Sequence, residues 1–320
     1  MADPMPMMDS PITTVAPGWA IAALGILGVL VVAAAMLDGA LAARAGGGPG
    51  AVGGLVRPFG EAARLMRQRR RTTVESDNPL WRIGGAGLLV TAALMVTVVP
   101  LGEWTIFDLD VGVMWFNAMD VMVWALVWLT GWGANSAHSL VGGYRFLAHG
   151  LGYELPLMFA LVAPAIAAET LNVGRVAAAQ EGLWFAVWMP VAFLVYLLGV
   201  AAFSVWGPFA PAIGTDVSGG ARAELSGVDR LVFEAGRYAL LAAGAAFAVP
   251  MFLGGGAGPL LPDWAWALVK TVALLAVLVW LRRRLPAFRP DKFMEVGWML
   301  LLPAVLLQDL VVAVIAVWRS

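Results

Sequence analysis

Long apolar runs separated by short polar segments dominate the chain. Eight of them, at approximately 19–41, 80–101, 112–131, 147–168, 182–204, 232–253, 263–281 and 296–317, approach the ~20 residues a helix needs to cross ~30 Å of hydrocarbon. The pattern predicts an all-α integral membrane protein of about eight transmembrane helices, organised as a single membrane domain over 1–320. Short turns between some spans predict helix pairs packed as hairpins. One segment follows a different rhythm. From Leu55 to Gln68, apolar Leu55, Phe59, Ala62 and Met66 fall on one helical face, and Arg57, Glu61, Arg64 and Gln68 on the other. That spacing predicts an amphipathic helix over 55–69 lying in the membrane interface, whose role is either a surface anchor or a working wall. The run Gly46-Gly47-Gly48-Pro49-Gly50 before it predicts a tight or flexible entry.

Composition sharpens the class: 61% of the 320 residues are hydrophobic and 13% charged, far from a soluble domain. Seventeen of the twenty Lys and Arg residues fall on segments sharing one side of the membrane, and only Arg175, Lys270 and Arg319 fall elsewhere. The bias places those segments, including the loop 205–231, in the cytoplasm and both termini outside, with 1–18 as a periplasmic segment. Met1 to Gly18 lacks the basic region of a signal peptide, so the first apolar run reads as a retained span. Heavy use of Arg over Lys, with abundant Ala, Gly and Val, points to a GC-rich bacterium and hence a bacterial plasma membrane. The absence of Cys excludes disulfides, thiolate zinc sites and iron–sulfur ligation by this chain. Two histidines make an autonomous metal site an unattractive reading, and a net charge of −1 gives no reason to expect nucleic acid.

Charged residues inside the apolar runs carry the candidate chemistry. Asp120, Glu154 and Asp309 lie within spans, and Lys270 is the lone cation deep in one. Each ionised group at the bilayer centre costs roughly 2.5–3.5 kcal/mol on insertion scales. Such groups persist by pairing, by facing a wet cavity or by staying neutral. Helix–helix hydrogen bonding accounts for any one of them; several acids together suggest a proton or ion path.

Three blocks then carry a likeness. Gly131-Trp132-Gly133-Ala134-Asn135-Ser136, continuing through Gly142, Arg145, Ala148, Tyr153 and Glu154, resembles a signature of the H-subunit family of respiratory complex I, also known as the mitochondrial subunit 1 family. Trp280 to Met294, with Gly297-Trp298 and Leu301-Leu302-Pro303, resembles that family's Trp-Val-Arg to Leu-Leu-Pro block, and Arg282, Arg289 and Asp291 match its charged positions. Gly48-Pro49, Val52-Gly53, Leu55, Pro58, Glu61 and Arg64 resemble its glycine–proline block, and the likeness covers roughly 38–317. The resemblance implies a membrane-arm subunit of a proton-translocating NADH-quinone oxidoreductase. Such a subunit anchors the peripheral arm, walls the quinone channel and begins the charged axis to the pumping subunits. Its substrate is a quinone, ubiquinone or menaquinone, with no metal or flavin of its own. Its partners are iron–sulfur and quinone-site peripheral subunits, small and antiporter-like membrane subunits, and the lipid bilayer. The implied proton-coupling candidates are Glu154, Asp120, Glu224, Glu234, Asp309 and Lys270. The quinone-channel or interface candidates are Arg57, Glu61, Arg64, Arg145, His149, Pro208, Phe209, Arg282, Arg289 and Asp291, with Arg283 and Arg284 also readable as topology signals.

The loop after the fifth span departs from the family. Pro208-Phe209 survive, but the family's Glu, Arg and Asp positions hold Phe203, Trp206 and Ala210, and only Asp216, Glu224, Asp229 and Glu234 supply acid there. The family's Gln is His149, and its first-loop Glu-Arg pair is missing. These departures keep two alternatives open: the equivalent subunit of a membrane-bound hydrogenase or formate-oxidising complex, and a stand-alone secondary transporter, which internal repeats would favour.

Overall fold

The computed structural model of the chain describes residues 12–46, 50–214 and 219–319. Residues 1–11 of the predicted outer segment, Gly47-Gly48-Pro49 of the glycine-rich entry and Asp216 lie outside them. In chain order the helices are α1 (Ala20–Ala45), α2 (Gly50–Arg67), α3 (Asn78–Val96), α4 (Gly112–Gly133), α5 (Ala137–Ala168), α6 (Val173–Ala178), α7 (Phe185–Trp188), α8 (Pro190–Phe203), α9 (Gly227–Phe252), α10 (Asp263–Leu281), α11 (Pro290–Val296) and α12 (Leu302–Arg319), with a π-helical turn at Gly297–Leu301 joining the last two. Strands β1 (Thr13–Thr14) and β2 (Trp104–Thr105) pair in parallel at one end of the bundle. Among the described residues, seven helical stretches are long and apolar enough to cross a membrane: Pro17–Ala45, α3, α4, α5, α9, α10 and Pro290–Trp318.

The fifth apolar run is the exception. The span expected over 182–204 is interrupted, leaving the 14-residue α8 behind the single turn α7. Pro190 has no N–H to donate, and its ring drives Met189 out of the helical region to φ −120°, ψ 52°. An orphan N–H at the new helix start, that of Ala192, is taken up by Gln308 Oε1 from α12 at 3.0 Å. The fourth span differs in the other direction. Helix α5 starts at Ala137, ten residues before the apolar run, because its early turns carry His138, Ser139 and Arg145 and so escape a hydropathy reading.

Helix α9 sits at the centre, packed against α1, α3, α8 and α10. Ala239, Ala242, Ala243, Ala245 and Ala248 on it are wholly buried. Without a hydrophobic drive between helices in lipid, small side chains that let backbones approach are what make such a centre pack. The same device joins α1 to α2: a Cβ on Gly39 would sit 2.3 Å from the Gly54 carbonyl oxygen. Backbone contact at Gly54 therefore decides which face of α2 turns inward, and Leu65, three turns on along the same face, is buried. Leu55 and Ala62 are half-buried, while Phe59 and Met66 of the predicted apolar face are 51% and 65% exposed.

The loop after α8 is the largest departure from a bland polar connection. Val205, Trp206, Phe209, Ala212 and Ile213 are all fully buried, so this segment is folded into the rim of the bundle. α9 then begins at Gly227. Across from it, Pro156 cannot donate to the Gly152 carbonyl, and α5 presents that oxygen to Gly297, where a Cβ would sit 2.2 Å away.

Candidate functional site

A cavity of about 580 Å³ opens at the arginine-rich end of the bundle, between α1, α2, α9 and the residues that follow α10. One part of its wall is apolar: Val31, Val32 and Ala35 of α1, Phe59 and Leu65 of α2, Leu231 and Ala235 of α9. The other part carries Asp38, Arg57, Glu61, Arg222, Arg230, Glu234, Tyr238, Arg282 and Arg283. Five guanidinium groups thus face three carboxylates.

Asp38 organises this wall. It lies one residue before the Gly39 contact and is only 8% exposed. Its Oδ2 accepts from Arg282 Nη1 and its Oδ1 from Arg283 Nη2, each at 2.7 Å, and the Tyr238 hydroxyl donates to Oδ2 at 3.2 Å. A carboxylate shared by two arginines and a phenol in a half-dry wall ties α1, α9 and α10 together. A second knot lies one turn away on α9. Glu234 accepts from Arg222 at 2.8 Å and from the buried Arg237 at 2.6 Å. Arg237 also donates to the Val205 carbonyl at 2.6 Å.

Val205, a β-branched residue, is held at φ +51°, a conformation such residues rarely adopt. Next to it, the Trp206 ring receives the guanidiniums of Arg282 and Arg237, 4.6 and 5.6 Å from its centroid, with Tyr238 edge-on at 5.0 Å. The buried indole N–H donates to the Leu278 carbonyl at 3.2 Å. Cation–π contacts of this kind are worth ~2 kcal/mol when desolvated, which explains how a tryptophan is accommodated beside two arginines.

Of the residues predicted from sequence, Arg57, Glu61, Glu234 and Arg282 come together at this cavity. Arg64 pairs with Glu61 at 2.6 Å on the exposed side of α2. The hydrogen bond from Arg64 is the main reason the Glu61 carboxyl titrates below its ordinary range. Pro208, Phe209 and His149 form a second cluster. The wholly buried His149 ring lies edge-on to Phe209 at 5.2 Å and 5.9 Å from Phe293, and neither of its nitrogens has a hydrogen-bond partner among the described residues. Arg145 lies one turn earlier on α5. Asp120 of α4 and Glu154 of α5 face each other deeper in the bundle, beside Asn117, Trp124 and Tyr153. Their carboxyl oxygens meet no hydrogen-bond geometry among the described residues, and Trp124 Nε1 donates instead to the Tyr153 hydroxyl at 3.0 Å. Buried polar atoms left open in such a group are the usual setting for ordered water.

The remaining predicted residues stand apart. Glu224 accepts from the Ser136 hydroxyl at 2.8 Å, at the turn between α4 and α5. Arg289 and Asp291 form an exposed pair at 3.2 Å. Asp309 of α12 is buried, and neither of its oxygens has a hydrogen-bond partner among the described residues. Lys270 sits towards the opposite end of the bundle, where its ammonium donates to the carbonyls of Leu253, Gly255 and Ala257 at 2.8–2.9 Å and lies 4.7 Å over the Trp184 ring. All three of its protons are spent on the α9–α10 turn.

Asp38, Tyr238, Arg222, Arg237 and Trp206 escape a reading of the sequence. Asp38 had a readable signal, a lone acid in the apolar stretch Met36 to Ala43, and Arg237 had its spacing of three from Glu234. Trp206 had none. Among the described residues no group of three or more His, Asp or Glu could hold a metal ion.

A family model described as NADH dehydrogenase matches residues 17–313. A Geobacter sulfurreducens protein, named as the second of that organism's NADH-quinone oxidoreductase H subunits, is 34% identical over 277 residues, 82% of this chain and 84% of that one. The Cereibacter sphaeroides protein that carries the same name is 34% identical over 306 residues, covering 94% and 95%. The NADH-quinone oxidoreductase H subunit of Geobacillus kaustophilus is 30% identical over 322 residues, covering 94% and 97%.

Proposed function

The chain belongs to the NADH dehydrogenase family, and from that premise we propose that it is the membrane subunit of an NADH-quinone oxidoreductase whose arginine-lined cavity receives the quinone head. The observation that carries this reading is the cavity's division into an apolar wall and a wall of five arginines against three acids. An isoprenoid quinone is apolar along its tail and gains negative charge at its head on reduction. Guanidiniums already oriented by Asp38 and Glu234 stabilise that charge without reorganising. Ubiquinone and menaquinone both meet this description. Electrons come from an iron–sulfur partner docked on the same rim, since a chain without Cys ligates no cluster.

Asp120 and Glu154, with open carboxyl oxygens in the membrane interior, are the groups that answer charge at the rim by binding or releasing protons towards antiporter-like neighbours. His149, five residues before Glu154 on α5, meets the Phe209 ring of the loop after α8. Glu224 and Asp309 extend the set of acids, and Lys270 holds the far end. The arginine bias puts the cavity mouth in the cytoplasm and both termini outside a bacterial plasma membrane. The relatives' names support the quinone reading over a hydrogenase.

Affinity purification from native membranes with mass-spectrometric identification of bound subunits tests this. An iron–sulfur quinone-site subunit together with antiporter-like membrane subunits is the expected outcome. Recovery of the chain alone, or with a nickel-site hydrogenase subunit, refutes it.

A further inference from the structure

We infer that an apolar cavity between α1, α3, α9 and α10, at the end of the bundle opposite the arginine rim, takes up one hydrocarbon chain of a membrane phospholipid. The cavity measures about 380 Å³, and its walls include Ala23 and Leu27 of α1, Val99 after α3, Ala246 and Val249 of α9, and Leu268 of α10. Only two of the lining side chains carry a hydroxyl, and each directs its proton to a backbone carbonyl. Thr271 donates to the Ala267 carbonyl at 2.7 Å, and Thr105 turns towards the carbonyls of Thr97 and Phe107 at 3.5 and 3.4 Å. Nearby, the Thr97 carbonyl left over by the end of α3 is also taken by the Phe107 N–H at 3.0 Å. A buried water needs two to four polar partners; beyond these hydroxyl oxygens the lining side chains add only the indole N–H groups of Trp19 and Trp104 at the exposed outer end, so the deep part of the space suits hydrocarbon rather than water.

Size and depth choose the hydrocarbon. A cavity of ~150 Å³ accommodates benzene, so by simple scaling this one holds a chain of roughly fifteen carbons. Along α1 its lining runs from Trp19 to Leu30, eleven residues and therefore about 16 Å of helix rise. That is the thickness of one leaflet, half of the ~30 Å hydrocarbon core. Trp19 and Trp104 stand at the lining's outer end, 62% and 49% exposed, where amphipathic indoles mark the level of lipid headgroups. Trp104 belongs to the β1–β2 pair, which stands at that end. A single acyl chain from the leaflet opposite the arginine rim fits this space, while a quinone with its head among the arginines would enter from the other end. The inference therefore stands without the quinone reading.

The test uses the assembled complex in vesicles of phosphatidylethanolamine and phosphatidylglycerol, doped with a phospholipid carrying a diazirine near the end of one acyl chain. Irradiation and peptide mapping should place label on 246–252 of α9, where Val249, Met251 and Phe252 are closed to bulk lipid. Ala23→Phe and Ala246→Phe fill the cavity from opposite walls, and each should lower that label about tenfold, the effect of expelling a short stretch of chain. Label on Leu307 and Leu310, exposed on α12, should be unchanged in both variants, which shows that they remain folded in the bilayer. Equal labelling of 246–252 in wild type and both variants overturns the inference. Loss of that label on adding a long-chain quinone overturns the lipid assignment and gives the space to a quinone tail.

Discussion

Replacing Asp38 isolates the part of the structure that everything at the rim leans on. Its two oxygens take a guanidinium each at 2.7 Å, and its side chain is 11% exposed, against 24% for Arg282 and 32% for Arg283. Hydrogen bonds to charged groups are worth about 1.5–3 kcal/mol each, and stripping one partner from a buried pair costs about 3–5 kcal/mol. Both arginines reach water, so part of that loss is recovered by hydration. Asp38→Ala is then expected to destabilise the α1–α9–α10 contact by ~2–4 kcal/mol. Asp38→Asn, which keeps an acceptor for Tyr238 but not the charge, should fall between. Thermal unfolding in mild detergent reads this as a lower midpoint, and a double-mutant cycle with Arg283→Gln should return a coupling of about 1–3 kcal/mol. Midpoints for both Asp38 variants that coincide with wild type, or a cycle showing no coupling, would overturn this assignment, because the carboxylate would then be a bystander to its own ligands.

Other consequences are as direct. Gly39→Ala puts a methyl group against the Gly54 carbonyl, so α2 must move away from α1; the variant should lose ~2 kcal/mol or more of stability, and faster proteolysis within α2 would show it. Lys270→Met leaves three carbonyls of the α9–α10 turn without donors and should cost ~2–4 kcal/mol in thermal unfolding while electron transfer in the surviving protein stays normal; a stable variant with altered proton transfer would give Lys270 a coupling role instead. Glu154→Gln should assemble normally and pump fewer protons per electron, measured in vesicles with a pH-sensitive dye, and an unchanged ratio removes Glu154 from the path.

Much of the fold was legible because the bilayer imposes one length on every spanning helix. Where other physics intervened, hydropathy alone misled. Pro190 broke an apolar run that composition read as continuous. The polar early turns of α5 hid a helix that tertiary contacts extend to Ala137. On α2, periodicity found the amphipathic helix but chose its inner face by apolar side chains, whereas Gly39 and Gly54 decide it by backbone approach. For the site, the cost of charge in lipid drew attention to Asp120, Glu154 and Asp309, all acids inside the bundle, and the same criterion applied to Asp38 would have pointed to the clamp. Trp206 lay beyond reach: its placement depends on two arginines, distant in sequence, arriving over one ring.

Whether the cavity bounded by α1, α2 and α9 binds the head of a quinone is decided by photolabelling the assembled complex with an azido-quinone, followed by peptide mapping. Label should fall on 57–65 of α2 and 230–238 of α9, disappear under excess unlabelled quinone, and weaken in Arg57→Ala and Arg230→Ala. Label confined to the lipid-facing surface, or indifferent to competing quinone, would take the quinone out of this cavity.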